Sequence, residues 1–273
     1  MRINPRYLTV ILRLSVALLL VVAGARSSGQ TSPYALTTLR ESLLLGGGAA
    51  AGLLALTADA GVPALTPAEL AALNINDIPH PDRWAARRFS SGTATASDYL
   101  AAAVVVAPAG LLALDGTMQD RAVLCVLYAE TMLWTLAATT YAKAAAQRVR
   151  PYAYNPATPP DLQTGDADAR KSFFSGHTSA AFASAAFIST VYGDYFPDSD
   201  ATPYLWGGTM AAAGTVGLLR VLSGSHFPTD VLAGAAVGTL IGWGVPALHR
   251  AQNPSSSVLW QISPAGLAVS IRF

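Results

Sequence analysis

The sequence predicts an all-α fold: a bundle of about six core helices, membrane-embedded, behind an N-terminal signal peptide. Three observations predict it. Hydrophobic residues make up 52% of the 273 residues and charged residues only 12%, against roughly 25% charged in an ordinary soluble domain. Six apolar segments are bounded for the most part by Pro, Gly, Asp or Ser clusters: Ser42–Ala58, Tyr99–Leu114, Ala122–Ala142, Thr178–Tyr192, Tyr204–Leu219 and Val231–Leu248. All six are rich in Ala and Leu and lack two-residue alternation, the pattern of helices and not of strands.

At the N-terminus, Arg2, Arg6 and Arg13 precede the run Leu14–Val22, and Ala23-Gly24-Ala25 offers a cleavage site. That reads as a signal peptide over 1–25 and implies export across a bacterial inner membrane; an uncleaved first membrane helix is the competing reading. Residues 26–98 form an N-terminal helix and a polar connecting region. The connector Asp59–Asp98 contains Pro63, Pro67, Pro79 and Pro81 and the basic group Arg83, Arg87 and Arg88. A short amphipathic helix around Arg83–Phe89 is expected there, lying on a surface or membrane interface. Residues 99–250 hold the other five segments as the main helical domain. Spanning helices need about 17–25 residues, a range that the six segments straddle, so several suit either a membrane or a buried core. Residues 251–273 read as a linker around Ser255–Ser257, followed by a single alternating strand or tail over Gly266–Phe273. Cys125 is expected to be a small buried hydrophobe with no internal disulfide partner.

The charge balance, 17 basic against 16 acidic residues, gives no general attraction to nucleic acid, so any positive charge for binding an anion must be local. Three clusters at helix junctions supply it. In Lys143-Ala-Ala-Ala-Gln-Arg-Val-Arg150-Pro151 the outer cations are two helical turns apart and share one face. In Ser172-Phe-Phe-Ser175-Gly176-His177-Thr, Ser175 suits an N-cap and Gly176 lets backbone approach a ligand. The free N–H groups of the helix start attract an anion, and His177 is placed to give a proton to a leaving oxygen. In Arg220-Val-Leu-Ser-Gly-Ser-His226-Phe-Pro-Thr-Asp230, the carboxylate four residues on can reach one imidazole nitrogen and leave the other free to attack. Taken singly, each cluster has a plainer reading: helix-end cations, a capping-region histidine, a histidine hydrogen-bonded near a helix start. Together, three cations beside two histidines with Ser and Gly donors describe a phosphoryl-transfer site. His80 and His249 lack such neighbours and are expected at the surface.

The pattern K-x6-R-P, then S-G-H, then R-x5-H-x3-D resembles the type 2 phosphatidic acid phosphatase superfamily, which includes bacterial non-specific acid phosphatases and vanadium haloperoxidases. The resemblance covers roughly Ala122 to Leu248. It implies that His226 is the nucleophile, Asp230 its orienting partner and His177 the general acid. It implies that Lys143, Arg150, Ser175, Gly176 and Arg220 hold the phosphate, with no metal and no cofactor. Phe174 stands where the family usually has Pro, and Leu219 where it usually has Ser. The expected activity is hydrolysis of phosphate mono- or diphosphate esters, of lipids such as phosphatidic acid, phosphatidylglycerol phosphate or a polyprenyl diphosphate, through a phosphohistidine. The expected location is the bacterial inner membrane with the site facing the periplasm, or the periplasm itself. The alternatives are a soluble periplasmic acid phosphatase, a vanadate-dependent haloperoxidase and a non-catalytic lipid or anion carrier.

Overall fold

The computed structural model describes residues 32–165 and 167–251, and the backbone of the strands Val258–Ser263 and Gly266–Ile271. The expected signal peptide and the Ser255–Ser257 linker lie outside the described residues. Six long helices follow one another: α1 (Thr38–Ala60), α2 (Ser91–Val106), α3 (Arg121–Ala146), α4 (Gly176–Tyr195), α5 (Thr202–Leu222) and α6 (Pro228–His249). Five of the apolar segments lie wholly within these helices and the sixth, Tyr99–Leu114, lies partly in α2, with boundaries set by capping chemistry that apolarity alone does not show. The largest shift is in α2, which begins eight residues before Tyr99. Ser90 caps it, its Oγ accepting the Thr93 N–H at 3.2 Å, and carries Ser91–Asp98 into the helix. Pro108 then breaks regular α geometry into 3-10 turns over Ala107–Ala113.

Helix α4 is the axis of the bundle. It packs against α6, α5, α2 and α3, while α1 lies outside against α3. Its Ser and Thr side chains turn inward to neighbours, as Thr139 Oγ1 and Ser179 Oγ do at 2.9 Å. The approach of α6 to α4 is set by a glycine every fourth residue. A β-carbon on Gly238 would stand 2.2 Å from the Ser179 carbonyl oxygen, and one on Gly242 2.1 Å from that of Ala183. Only glycine lets two helix backbones meet so closely.

Five helices, α1, α2, α3, α5 and α6, belong to segments long and apolar enough to cross a membrane. Their outer faces expose large apolar side chains such as Leu43, Leu54, Leu136, Leu218, Leu232 and Leu240. The fold is therefore the expected helical bundle, apolar on the outside and suited to lipid.

Three local expectations are corrected. In place of the expected amphipathic helix, Arg83–Arg87 forms a short 3-10 helix whose Ala85 and Ala86 are buried against Val221 and Phe227. Cys125 is exposed on α3 and not buried. His249 is fully buried at the end of α6, its Nε2 held 3.2 Å from Glu41 and 3.1 Å from Glu130. At the C-terminal end, the alternating segment forms a strand over Gly266–Ile271, β2. It pairs antiparallel with β1, Val258–Ser263, in the register Val258↔Ile271 to Ser263↔Gly266.

Candidate active site

The candidate side chains meet at one end of the bundle, where α3 and α5 finish and α4 and α6 begin. Helix α3 stops at Ala146 because Gln147 turns left-handed (φ 43°) and its N–H closes on the Lys143 carbonyl. Lys143 lies in the last helical turn. Arg150 lies past the helix, in extended backbone (φ −72°, ψ 152°). The shared helical face expected from their spacing is thus replaced by a different convergence. The chain bends back, and the Arg150 N–H bonds the Ala169 carbonyl at 2.8 Å. The buried Arg150 guanidinium donates to Asp168 Oδ1 at 2.7 Å and to the Ser225 carbonyl at 3.4 Å, which ties it to the loop before His226.

Ser175 caps α4. Its Oγ accepts the Thr178 hydroxyl at 2.8 Å and the Thr178 N–H at 3.4 Å. Its own N–H bonds the Asp230 carbonyl oxygen at 3.1 Å, joining the starts of α4 and α6. A β-carbon on Gly176 would lie 3.6 Å from Lys143 Nζ, so the ammonium rests against the first turn of α4. The free N–H groups and positive dipole end of that turn add to its charge.

Arg220 sits in the last turn of α5. Its carbonyl receives the N–H groups of Ser225 (3.1 Å) and His226 (3.2 Å), which folds the connection to α6 into a tight turn. Gly224 makes the turn with φ 78°; any β-carbon there would collide with the Arg88 carbonyl at 2.0 Å. Arg220 Nη1 donates to Ser97 Oγ (2.9 Å) and Asp98 Oδ1 (2.7 Å). Its Nε is buried without a hydrogen-bond partner among the described residues, a donor that an anion would satisfy.

His226 is 1% exposed. Its Nδ1 donates to the Ser172 carbonyl at 2.7 Å, while Asp230 Oδ2 stands 3.8 Å away. The carbonyl, which can only accept, puts the proton on Nδ1 and leaves the Nε2 lone pair free. Asp230, expected to touch the imidazole, acts one residue removed. It accepts the Ser172 hydroxyl (2.5 Å), the Phe227 N–H (2.9 Å) and Arg148 Nη1 (2.5 Å). Burial holds His226 well below its ordinary pKa of 6.5, and Arg150 and Lys143 push the same way against Asp230. The imidazole is neutral at neutral pH, as a nucleophile requires.

His177 lies at the rim, its Nε2 3.0 Å from Asp98 Oδ1. Burial and then Arg220 lower its pKa to about 4, with Asp98 opposing them. A bound phosphate dianion would raise it again.

Sequence reading missed four residues of this site: Asp82, Asp98, Arg148 and Ser172. Arg148 bridges the two buried carboxylates, Asp82 (2.7 Å) and Asp230, with its guanidinium 4.1 Å above the Phe227 ring. Asp82 also accepts the Thr229 N–H and hydroxyl at the start of α6. Among the described residues no group of three or more His, Cys, Asp or Glu side chains is arranged to hold a metal ion.

A family model described as the PAP2 superfamily matches residues 123–254, a little under half of the chain. A lipid A 1-phosphatase of Porphyromonas gingivalis is 38% identical over 77 residues, 28% of this chain and 16% of that protein. The match thus spans about a sixth of that relative's length. The crystal structure of a transmembrane PAP2-type phosphatidylglycerolphosphate phosphatase from Bacillus subtilis covers 87% of this chain and 94% of its own, at 17% identity and a TM-score of 0.44.

Proposed function

We propose, from the match of residues 123–254 to the PAP2 superfamily model, that the chain is a phosphatase of phosphorylated lipids working through a phosphohistidine on His226. One observation carries the proposal: a buried, neutral imidazole whose Nδ1–H is committed to Ser172, leaving Nε2 as a free nucleophile among three cations. Lys143, Arg150, Arg220 and the N–H groups at the start of α4 would neutralise the equatorial phosphate oxygens, so the charge stabilisation needs no bound metal. The Nε2 lone pair forms the N–P bond as the P–O bond to the alcohol breaks. The bonding pair stays on the leaving oxygen, which takes the proton from His177. Water then attacks the phosphohistidine and returns a proton to His177. The N–P bond breaks and phosphate leaves. The proton stays on Nδ1 throughout, hydrogen-bonded to the Ser172 carbonyl.

Lipid substrates are favoured over small soluble esters because the site lies where apolar helices end, at the height of lipid headgroups. The catalytic end facing the periplasm is part of the proposal.

Phosphate release from phosphatidic acid, phosphatidylglycerol phosphate, a polyprenyl diphosphate and p-nitrophenyl phosphate, in detergent with EDTA, tests the reading. Release that survives EDTA and disappears in His226→Ala is expected, with lipids preferred. Unchanged release in His226→Ala would sink the phosphohistidine, and equal turnover of the soluble ester would sink the lipid preference.

A further inference from the structure

Asp98 lies on α2, outside the segment that matches the family, in the polar stretch that apolarity alone assigned to a connector. Its Oδ1 is shared between Arg220 Nη1 (2.7 Å) and His177 Nε2 (3.0 Å), and the adjacent Ser97 hydroxyl takes a second bond from Arg220. This carboxylate is therefore the acceptor for the ring nitrogen that would deliver the leaving-group proton. We infer that Asp98 is a positioning residue of this site, which aims the Nε2 of His177 and raises its proton affinity against the surrounding cations until the substrate phosphate takes over.

The inference rests on the phosphatase reading of the same site, and the local charges support it. His177 faces Arg220 from α5, Lys143 from α3 and Arg150 from the loop after α3. All three cations favour the loss of its proton, and burial does the same. Asp98 is the one carboxylate in hydrogen-bond contact with His177 among the described residues. Without it, nothing in contact with the ring would oppose the cations, and the proton affinity of His177 in the free enzyme would fall further. In the complex, the phosphate dianion brings its own negative charge beside His177 and replaces the carboxylate in that role. Arg220 serves both partners, because Nη1 holds Asp98 while its buried Nε remains unsatisfied for a phosphate oxygen.

The sign of the effect follows. His177 works protonated, so activity falls as pH rises through its pKa. Removing the negative charge of Asp98 lowers that pKa in the free enzyme. The alkaline limb of kcat/KM, which reports the free enzyme, should move to lower pH in Asp98→Asn, while that of kcat stays close to wild type. The chemistry adds a second signature. A nitrophenolate departs without a proton, whereas an alkoxide needs one, so the loss should fall selectively on alkyl phosphates.

The experiment compares wild type, Asp98→Asn, His177→Ala and the double variant on an alkyl phosphate lipid and on p-nitrophenyl phosphate across pH. A pH titration of the His177 ring signals by NMR, without substrate, accompanies it. Expected are a limb displaced by about one pH unit, an alkyl loss about tenfold greater than the aryl loss, a lower His177 titration midpoint and no further loss on adding Asp98→Asn to His177→Ala. Equal losses on both substrates with unmoved limb and midpoint would make Asp98 a mere counter-ion for Arg220 and overturn the inference. An independent further loss in the double variant would overturn it as well. Failure of the phosphatase reading looks different: wild type and His226→Ala would be alike on every substrate, and the NMR midpoint alone would then decide whether Asp98 controls His177.

Discussion

Arg148 holds His226, the proposed nucleophile, in place from a distance. Its guanidinium joins two buried carboxylates, and through Asp230 and the Ser172 hydroxyl it fixes the carbonyl on which His226 Nδ1 rests. Arg148→Met leaves Asp82 and Asp230 buried without their cation. With hydrogen bonds to charged groups contributing about 1.5–3 kcal/mol each, kcat is expected to fall about 10–100-fold, with a smaller change in KM. Steady-state kinetics on a single lipid substrate checks this; a change confined to KM would place Arg148 at the substrate instead. The motif cations and histidines were legible in the sequence because the chemistry requires them at short spacings, and the structure gathers Lys143, Arg150, His177, Arg220 and His226 at one end of the bundle. Arg148 stood between Lys143 and Arg150 and was passed over, because its partner Asp82 lies in a different segment and leaves no local signal. Ser172 was hidden for another reason. What it offers His226 is a backbone carbonyl, which any residue carries.

At the scale of elements, two features decide how the site is held. The first is the glycine face of α6 against α4. Gly238→Ala forces a methyl group to within 2.2 Å of the Ser179 carbonyl and must push the helices apart. Overpacking of this kind costs about 1–3 kcal/mol, and since Ser175 and His226 sit on opposite sides of the same seam, activity should fall with the melting temperature. Thermal unfolding and turnover measured on one preparation would show it; intact stability would mean the seam is looser than drawn. The second is the buried cluster of Glu41, Glu130 and His249, which ties α1, α3 and α6 together with Arg40 at its edge. His249→Leu leaves two buried carboxylates facing an apolar group. A loss of about 3–5 kcal/mol is expected, partly recovered by adding Glu130→Leu, as replacing a whole buried ionic set by hydrophobes often allows. Helix existence was readable from apolarity, whereas the start of α2 was not, since Ser90 caps a turn that reads as polar linker. The burial of His249 is illegible for a related reason: a histidine at a helix end resembles a surface residue, and its two glutamates come from other helices.

At the scale of the whole molecule, the bundle reverses the usual arrangement of a soluble enzyme. The Ser- and Thr-rich helix α4 lies at its axis, and leucines lie on its outside. In carbonate extraction the chain is therefore expected to stay with the membrane pellet; release into the supernatant would show that the apolar exterior is covered by protein and not by lipid. The composition foretold this apolar exterior, because with so few charged residues no helix can present a fully polar face. It did not foretell which helix becomes the axis, since that depends on the small side chains that let α4 and α6 come together. Because neighbouring helices run in opposite directions, the start of α1 and the end of α6 lie together at the pole away from His226, fastened by the bridge between Tyr34 and Arg250. A reporter fused after Arg250 is thus expected to sample the compartment opposite the one that the His226 pole faces, so a tag that is dark outside the cell membrane and bright within would place the proposed chemistry outside.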